Sequence, residues 1–146
     1  MRTLRPLLAV AALSGLLGCR TNPCGDQHAA LPEALSPAGT ALPDANVCYV
    51  AGDHATLMYW GGREKLDAVA TRALATLNAE GWSQRPPNPY THSDPQAPVY
   101  VFRRGDDELS LRFSVTQTPR LGSKLLADSV SITARRYPGP RLRAHP

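Results

Sequence analysis

Residues 63–82, REKLDAVATRALATLNAEGW, decide the fold. Leu66, Val69, Ala70, Ala73, Leu74 and Leu77 recur at spacings of three and four, which sets them along one stripe of a helix. Glu64 in the first turn complements the helix dipole, and Gly81 stands where a left-handed C-terminal residue belongs. The spacing predicts an amphipathic helix over residues 64–80, and a helix with one apolar stripe needs an apolar surface to cover. Trp82, directly after the stop, is expected to bury its ring where that surface meets the helix.

On either side the period changes to two. Downstream, Leu109, Leu111, Phe113 and Val115 alternate strictly with Ser110, Arg112, Ser114 and Thr116, giving one buried face and one wet face. Val130, Ile132 and Ala134 repeat the alternation over residues 129–135. Residues 99–104 read as a strand joined to residues 108–117 by the turn Gly105-Asp106-Asp107, and residues 118–128 as a connection. Upstream, residues 47–50 and 55–60 are β-rich runs separated by Gly52-Asp53, a hairpin pattern. Residues 82–85 begin one more strand, followed by a proline-rich loop over residues 86–98. The order is β-β-α-β-β-β-β. The expected class is α+β: an antiparallel sheet of about four to six strands with one amphipathic helix packed on one face.

Composition bounds the function. The chain has 146 residues, 42% hydrophobic and 19% charged, which suits one domain with a packed core. Sixteen Lys and Arg against 12 Asp and Glu give a net charge of +4, far from the dense basic surface of a nucleic-acid binder, so no nucleic-acid partner is expected. No run approaches the roughly 20 apolar residues of a spanning helix, which argues against an integral membrane protein of that kind.

The N-terminal residues read as an address. Arg2 and Arg5 precede an apolar run over residues 7–17 that suits the core of a signal peptide. The run ends in Leu16-Leu17-Gly18-Cys19, which resembles the lipobox of bacterial lipoproteins, with Leu17 where Ala or Ser is commoner. The resemblance implies that residues 1–18 are removed, that the Cys19 sulfur carries a diacylglycerol, and that the new amine takes an acyl chain such as palmitate. Sulfur is required because the thiolate is the nucleophile that takes up the lipid. Each buried methylene contributes about 0.8 kcal/mol and one chain binds only marginally, so two or three chains anchor the protein to its membrane. Arg20, rather than Asp, implies the outer membrane of the bacterial envelope, facing the periplasm or the cell surface. The alternative is an ordinary secretory signal with Cys19 incidental. Losing Arg2 and Arg5 reduces the 16 basic residues to 14 against 12 acidic ones, a formal +2.

Cys24 and Cys48 are the other cysteines. In an oxidising compartment such a pair reads as a disulfide, the other reading being two separately buried thiols; no CxxC or HxxxH spacing supports a metal. Pro23, Pro32, Pro37 and Pro43 interrupt the chain before residue 46. The expected layout is a signal peptide (1–18), a lipidated, Pro/Ala-rich tether (19–45), a single domain (46–137) and a basic proline-rich tail (138–146). The Pro43-Asp44-Ala45 entry, the hairpin, the helix ending in Gly81-Trp82 and the turn Arg104-Gly105-Asp106 together resemble a pattern of small bacterial envelope lipoproteins over residues 43–136. That resemblance implies fold and location and carries no active site.

Candidate chemistry is sparse. His28, His54, His92 and His145 lie in or beside turn, loop or tail sequence, without ligand spacing, so no metal or cofactor is expected. No G-x-S-x-G, S-x-x-K or phosphate-cradling signature occurs. The favoured reading is a non-catalytic binding or assembly module that recognises an envelope protein, a lipid head group or a glycan. The alternative is a small envelope hydrolase built from His92, Asp94 and His54. Candidate binding residues are the aromatics Tyr59, Trp60 and Tyr90 and the basic pair Arg135 and Arg136. Met58, Tyr59 and Trp60 cannot all face one way in a strand.

Overall fold

The computed structural model describes residues 22–25, 27, 29–86, 94–120 and 125–137. A 3-10 turn (Glu33–Leu35) and a short helix α1 (Ser36–Ala41) lead into strands β1 (Asn46–Ala51) and β2 (His54–Trp60). Helix α2 (Arg63–Ala79) follows, then β3 (Ser83–Gln84), β4 (Val99–Arg104), β5 (Asp107–Pro119) and β6 (Leu126–Tyr137). The strands form one sheet of six, in the order β1-β2-β6-β5-β4-β3, with every neighbouring pair antiparallel. This is the α+β class that the sequence pattern implies.

Alternation sets the core. Leu57 pairs with Ile132, Ile132 with Phe113, and Leu111 with Ala134, so the inward side chains of three central strands lie in register under the helices. Helix α2 buries Leu66, Val69, Ala70, Ala73 and Leu77 against them. Leu74, expected within the stripe, is only partly buried. At 100° per residue it stands about 80° round the axis from Leu66, at the margin of the buried arc.

The helix stop is a Schellman arrangement. The Trp82 N–H donates to the Leu77 carbonyl at 2.9 Å and the Gly81 N–H to the Asn78 carbonyl at 3.1 Å. Gly81 has φ +84°, a conformation that side chains with a Cβ rarely adopt. The Trp82 ring is buried beside Leu77, with the Arg104 guanidinium 4.7 Å from its centroid.

Two expectations need correction. Residues 118–128 were expected as a connection, yet β5 and β6 stay paired through Gln117–Asp128, Thr118–Ala127 and Pro119–Leu126. This extension has no apolar alternation to read, because hydroxyl groups hold part of it: Ser129 Oγ lies 3.0 Å from Thr116 Oγ1 and 2.6 Å from Thr118 Oγ1.

The second correction concerns the tether. Leu35, Ala38, Ala41 and Leu42 are buried in the main core, so the folded unit includes residues ahead of 46. Pro37 is tolerated because it sits in the first turn of α1, where its missing N–H has no partner to lose. Arg136 Nη1 donates to the Ala34 carbonyl at 2.8 Å and so clips the 3-10 turn to the sheet. Asp44, at φ +63°, turns the chain from α1 into β1. A helix of six residues rich in Ser, Pro, Ala and Gly leaves too little periodicity to detect.

Cys24 and Cys48 form a disulfide with their Cα atoms 5.0 Å apart. In β1 the register jumps from Val47–Leu57 to Tyr49–Thr56, so Cys48 is the extra residue of a bulge. It is buried where it meets Cys24. The loop so closed, with its cysteines 24 positions apart in sequence, contains the 3-10 turn and α1.

Candidate binding surface

Both helices cover one face of the sheet; the other presents Ser110, Arg112, Ser114 and Thr116 from β5 and Ser131, Thr133 and Arg135 from β6. His54, Thr56, Met58 and Trp60 of β2 stand beside the β6 residues, in register. Three large side chains on this side are well exposed: Tyr49 at 53%, Val99 at 48% and Tyr137 at 40%.

Two clusters organise this face. At the β1–β2 turn, Asp53 lies 3.6 Å from His54 Nδ1 and 3.5 Å from Arg135 Nε. The rings of Tyr49 and His54 are 5.8 Å apart, and the Arg135 guanidinium stacks 4.7 Å from the Tyr137 centroid. At the far end of β2, the Arg120 guanidinium lies 5.8 Å from the Trp60 ring, beside the Ser129 hydroxyl ladder. Aromatic faces, guanidinium groups and hydroxyls together suit recognition of a polar surface by stacking and hydrogen bonding.

The expected binding residues divide between the two faces, because neighbours in a strand point oppositely. Trp60 and Arg135 are on the uncovered face. Tyr59 is turned inward, 6% exposed, with its hydroxyl donating to the Pro43 carbonyl at 2.6 Å. Arg136 also faces the helix side, paired with Asp107 as well as Ala34. Tyr59 and Arg136 thus hold the fold together and do not join Trp60 and Arg135 on the uncovered face. Cys19, Tyr90 and His92 lie outside the described residues, as do residues 1–18, expected as a signal peptide, and residues 138–146, expected as a tail.

Burial pushes the Tyr59 hydroxyl up to about 12; Arg72 opposes the shift and Asp44 adds to it. An unfolded tyrosine ionises near 10, so the folded state holds its proton through the window from about 10 to about 12. Stability from this group is complete below the lower value and declines as pH rises through the window, by roughly 2–3 kcal/mol in total. Tyr59→Phe should remove that alkaline slope while costing about 1 kcal/mol at neutral pH through the lost hydrogen bond. Urea unfolding across the window measures both, and an unchanged slope in the variant would contradict the assignment.

Of the three residues of the alternative hydrolase, His92 lies outside the described residues, and His54 and Asp94 are not brought together. Arg63 Nη1 holds the Pro95 carbonyl at 2.9 Å near the start of α2, and Asp94 accepts from the Gln96 N–H at 2.9 Å. His54 opens β2 at its other end, about 20 Å away along a seven-residue strand. Among the described residues no three His, Cys, Asp or Glu side chains are grouped to hold a metal ion.

A cleft of about 700 Å³ lies off the β1 edge, between Asn22 and Pro23 on one side and Lys65 and Arg72 of α2 on the other. Tyr59, Trp60, Asn46 and Asp44 complete its walls. Its Lys65 ammonium is 5.2 Å from the Tyr59 centroid. Gly61, at φ +134°, permits this approach of strand and helix, since a Cβ there would lie 2.5 Å from that of Lys65. The sequence held no signal for this cleft, which depends on where the disulfide fixes Asn22 and Pro23. Comparison with protein-family models, with curated proteins and with solved structures finds no match for the chain.

Proposed function

We propose that the protein is a lipid-anchored bacterial envelope lipoprotein whose domain serves as a non-catalytic binding or assembly module. The observation that carries the reading is the apolar run closing in Leu16-Leu17-Gly18-Cys19. The linkage of Cys24 to Cys48 supports it, because structural disulfides persist in oxidising compartments such as the envelope. The surface of Trp60, Tyr49, Tyr137, Arg112 and Arg135 supports a binding role toward an envelope protein, a lipid head group or a glycan. No helix of the described residues is long and apolar enough to cross a membrane, and the lipid on Cys19 is the attachment proposed.

Labelling with a fatty-acid probe tests the anchor: wild type should take up label and Cys19→Ser should not. The non-catalytic half is tested by a strain producing only the His54→Ala, Asp94→Ala, His92→Ala variant. Full complementation of the deletion phenotype is expected. Loss of function with unchanged folding, abundance and membrane attachment would favour the hydrolase.

A further inference from the structure

We propose that the Cys24–Cys48 disulfide shortens the leash between lipid and domain, so that the cleft of Trp60, Lys65 and Arg72 is set against anionic phospholipid headgroups. This rests on the reading of Cys19 as the lipid carrier. The folded chain is already fixed at Asn22: its side chain accepts from the Cys24 N–H at 2.9 Å, its carbonyl from the Gly25 N–H at 3.0 Å, and Pro23 is buried. Only Arg20 and Thr21 separate Asn22 from Cys19, so the lipid-bearing Cα stands at most about 11 Å from that of Asn22. Asn22 and Pro23 are themselves walls of the cleft. Without the disulfide, the next backbone group pinned to the sheet among the described residues is the Ala29 N–H, which donates to the Val47 carbonyl at 3.1 Å. The leash would then reach about 35 Å.

The chemistry of the wall fits that position. Lys65 and Arg72 face the cleft with Asp44 as the opposing carboxylate, and the Arg120 guanidinium stands beside the Trp60 ring. A lysine ammonium over the Tyr59 ring and an arginine beside the Trp60 ring suit the headgroup level of a membrane, where anionic phosphates attract cations and the indole ring finds its preferred depth.

The test uses lipidated full-length protein in vesicles of phosphatidylethanolamine and phosphatidylglycerol that carry a headgroup-attached spin label. Quenching of Trp60 fluorescence is read as the difference between wild type and Trp60→Phe, which leaves the buried Trp82 as background. Wild type should be quenched. Inserting about ten Gly and Ser residues between Arg20 and Thr21, which adds up to roughly 35 Å of reach, should reduce the quenching at least threefold while the protein stays on the vesicles. The insertion leaves the disulfide intact, so the result does not depend on folding without it. Lys65→Glu combined with Arg72→Glu should also weaken the quenching. Unquenched Trp60 in protein acylated on Cys19, or quenching indifferent to the insertion, would overturn this inference and leave the anchor standing. A mature protein with unacylated Cys19 would overturn both.

Discussion

Leu35→Ala is expected to lower the unfolding free energy by about 2–5 kcal/mol, the range for truncating a fully buried leucine. Leu35 has no solvent exposure and packs in the same core as Leu57, Leu77 and Phe113. Its removal leaves a cavity under the 3-10 turn, which the turn cannot easily close. Arg136 clips the neighbouring Ala34 carbonyl to the sheet, and the disulfide returns the chain to β1. The exposed Glu33, two residues earlier, should tolerate alanine within about 0.5 kcal/mol. Urea unfolding followed by fluorescence measures both changes. Equal and small effects would mean that residues 33–42 are an appendage of the domain.

That comparison marks where the sequence could be read and where it could not. Leu66 to Leu77 and Leu109 to Val115 carry long, regular apolar periods, so helix, strands and buried faces follow from spacing alone. The segment around Leu35 offers only two buried leucines, Leu35 and Leu42, separated by a proline and small residues, and tertiary packing gives it its structure. The site divides in the same way. Trp60 and Arg135 were legible as surface aromatics and cations, but their neighbours Tyr59 and Arg136 point to the opposite face. Only register shows that Tyr59 reaches Pro43 and that Arg136 reaches Ala34. Lys65 and Arg72 looked like ordinary polar helix positions. They line a cleft because a bulge at Cys48 and its bond to Cys24 draw Asn22 and Pro23 alongside α2.

The largest effect expected of any single substitution is on location. Cys19→Ser removes the sulfur on which the proposed diacylglycerol is carried, and with it the acylation of the new amine that follows cleavage. At about 0.8 kcal/mol per buried methylene, two or three acyl chains make release negligible, whereas a domain attached only through Lys65, Arg72 and a few other cations should wash off in salt. Wild type should therefore remain in the membrane fraction after a high-salt wash. Cys19→Ser should either leave it or accumulate as an unprocessed precursor, identified by the retained residues 1–18. The 24–48 disulfide should form in any variant that reaches the same compartment.

The mass of the intact mature protein, isolated from membranes, tests the anchor most directly. The account predicts a chain that begins at Cys19 and carries the added mass of a diacylglyceryl group, with or without a further acyl chain. A mature chain with an unmodified Cys19, or one beginning at another residue, would contradict it.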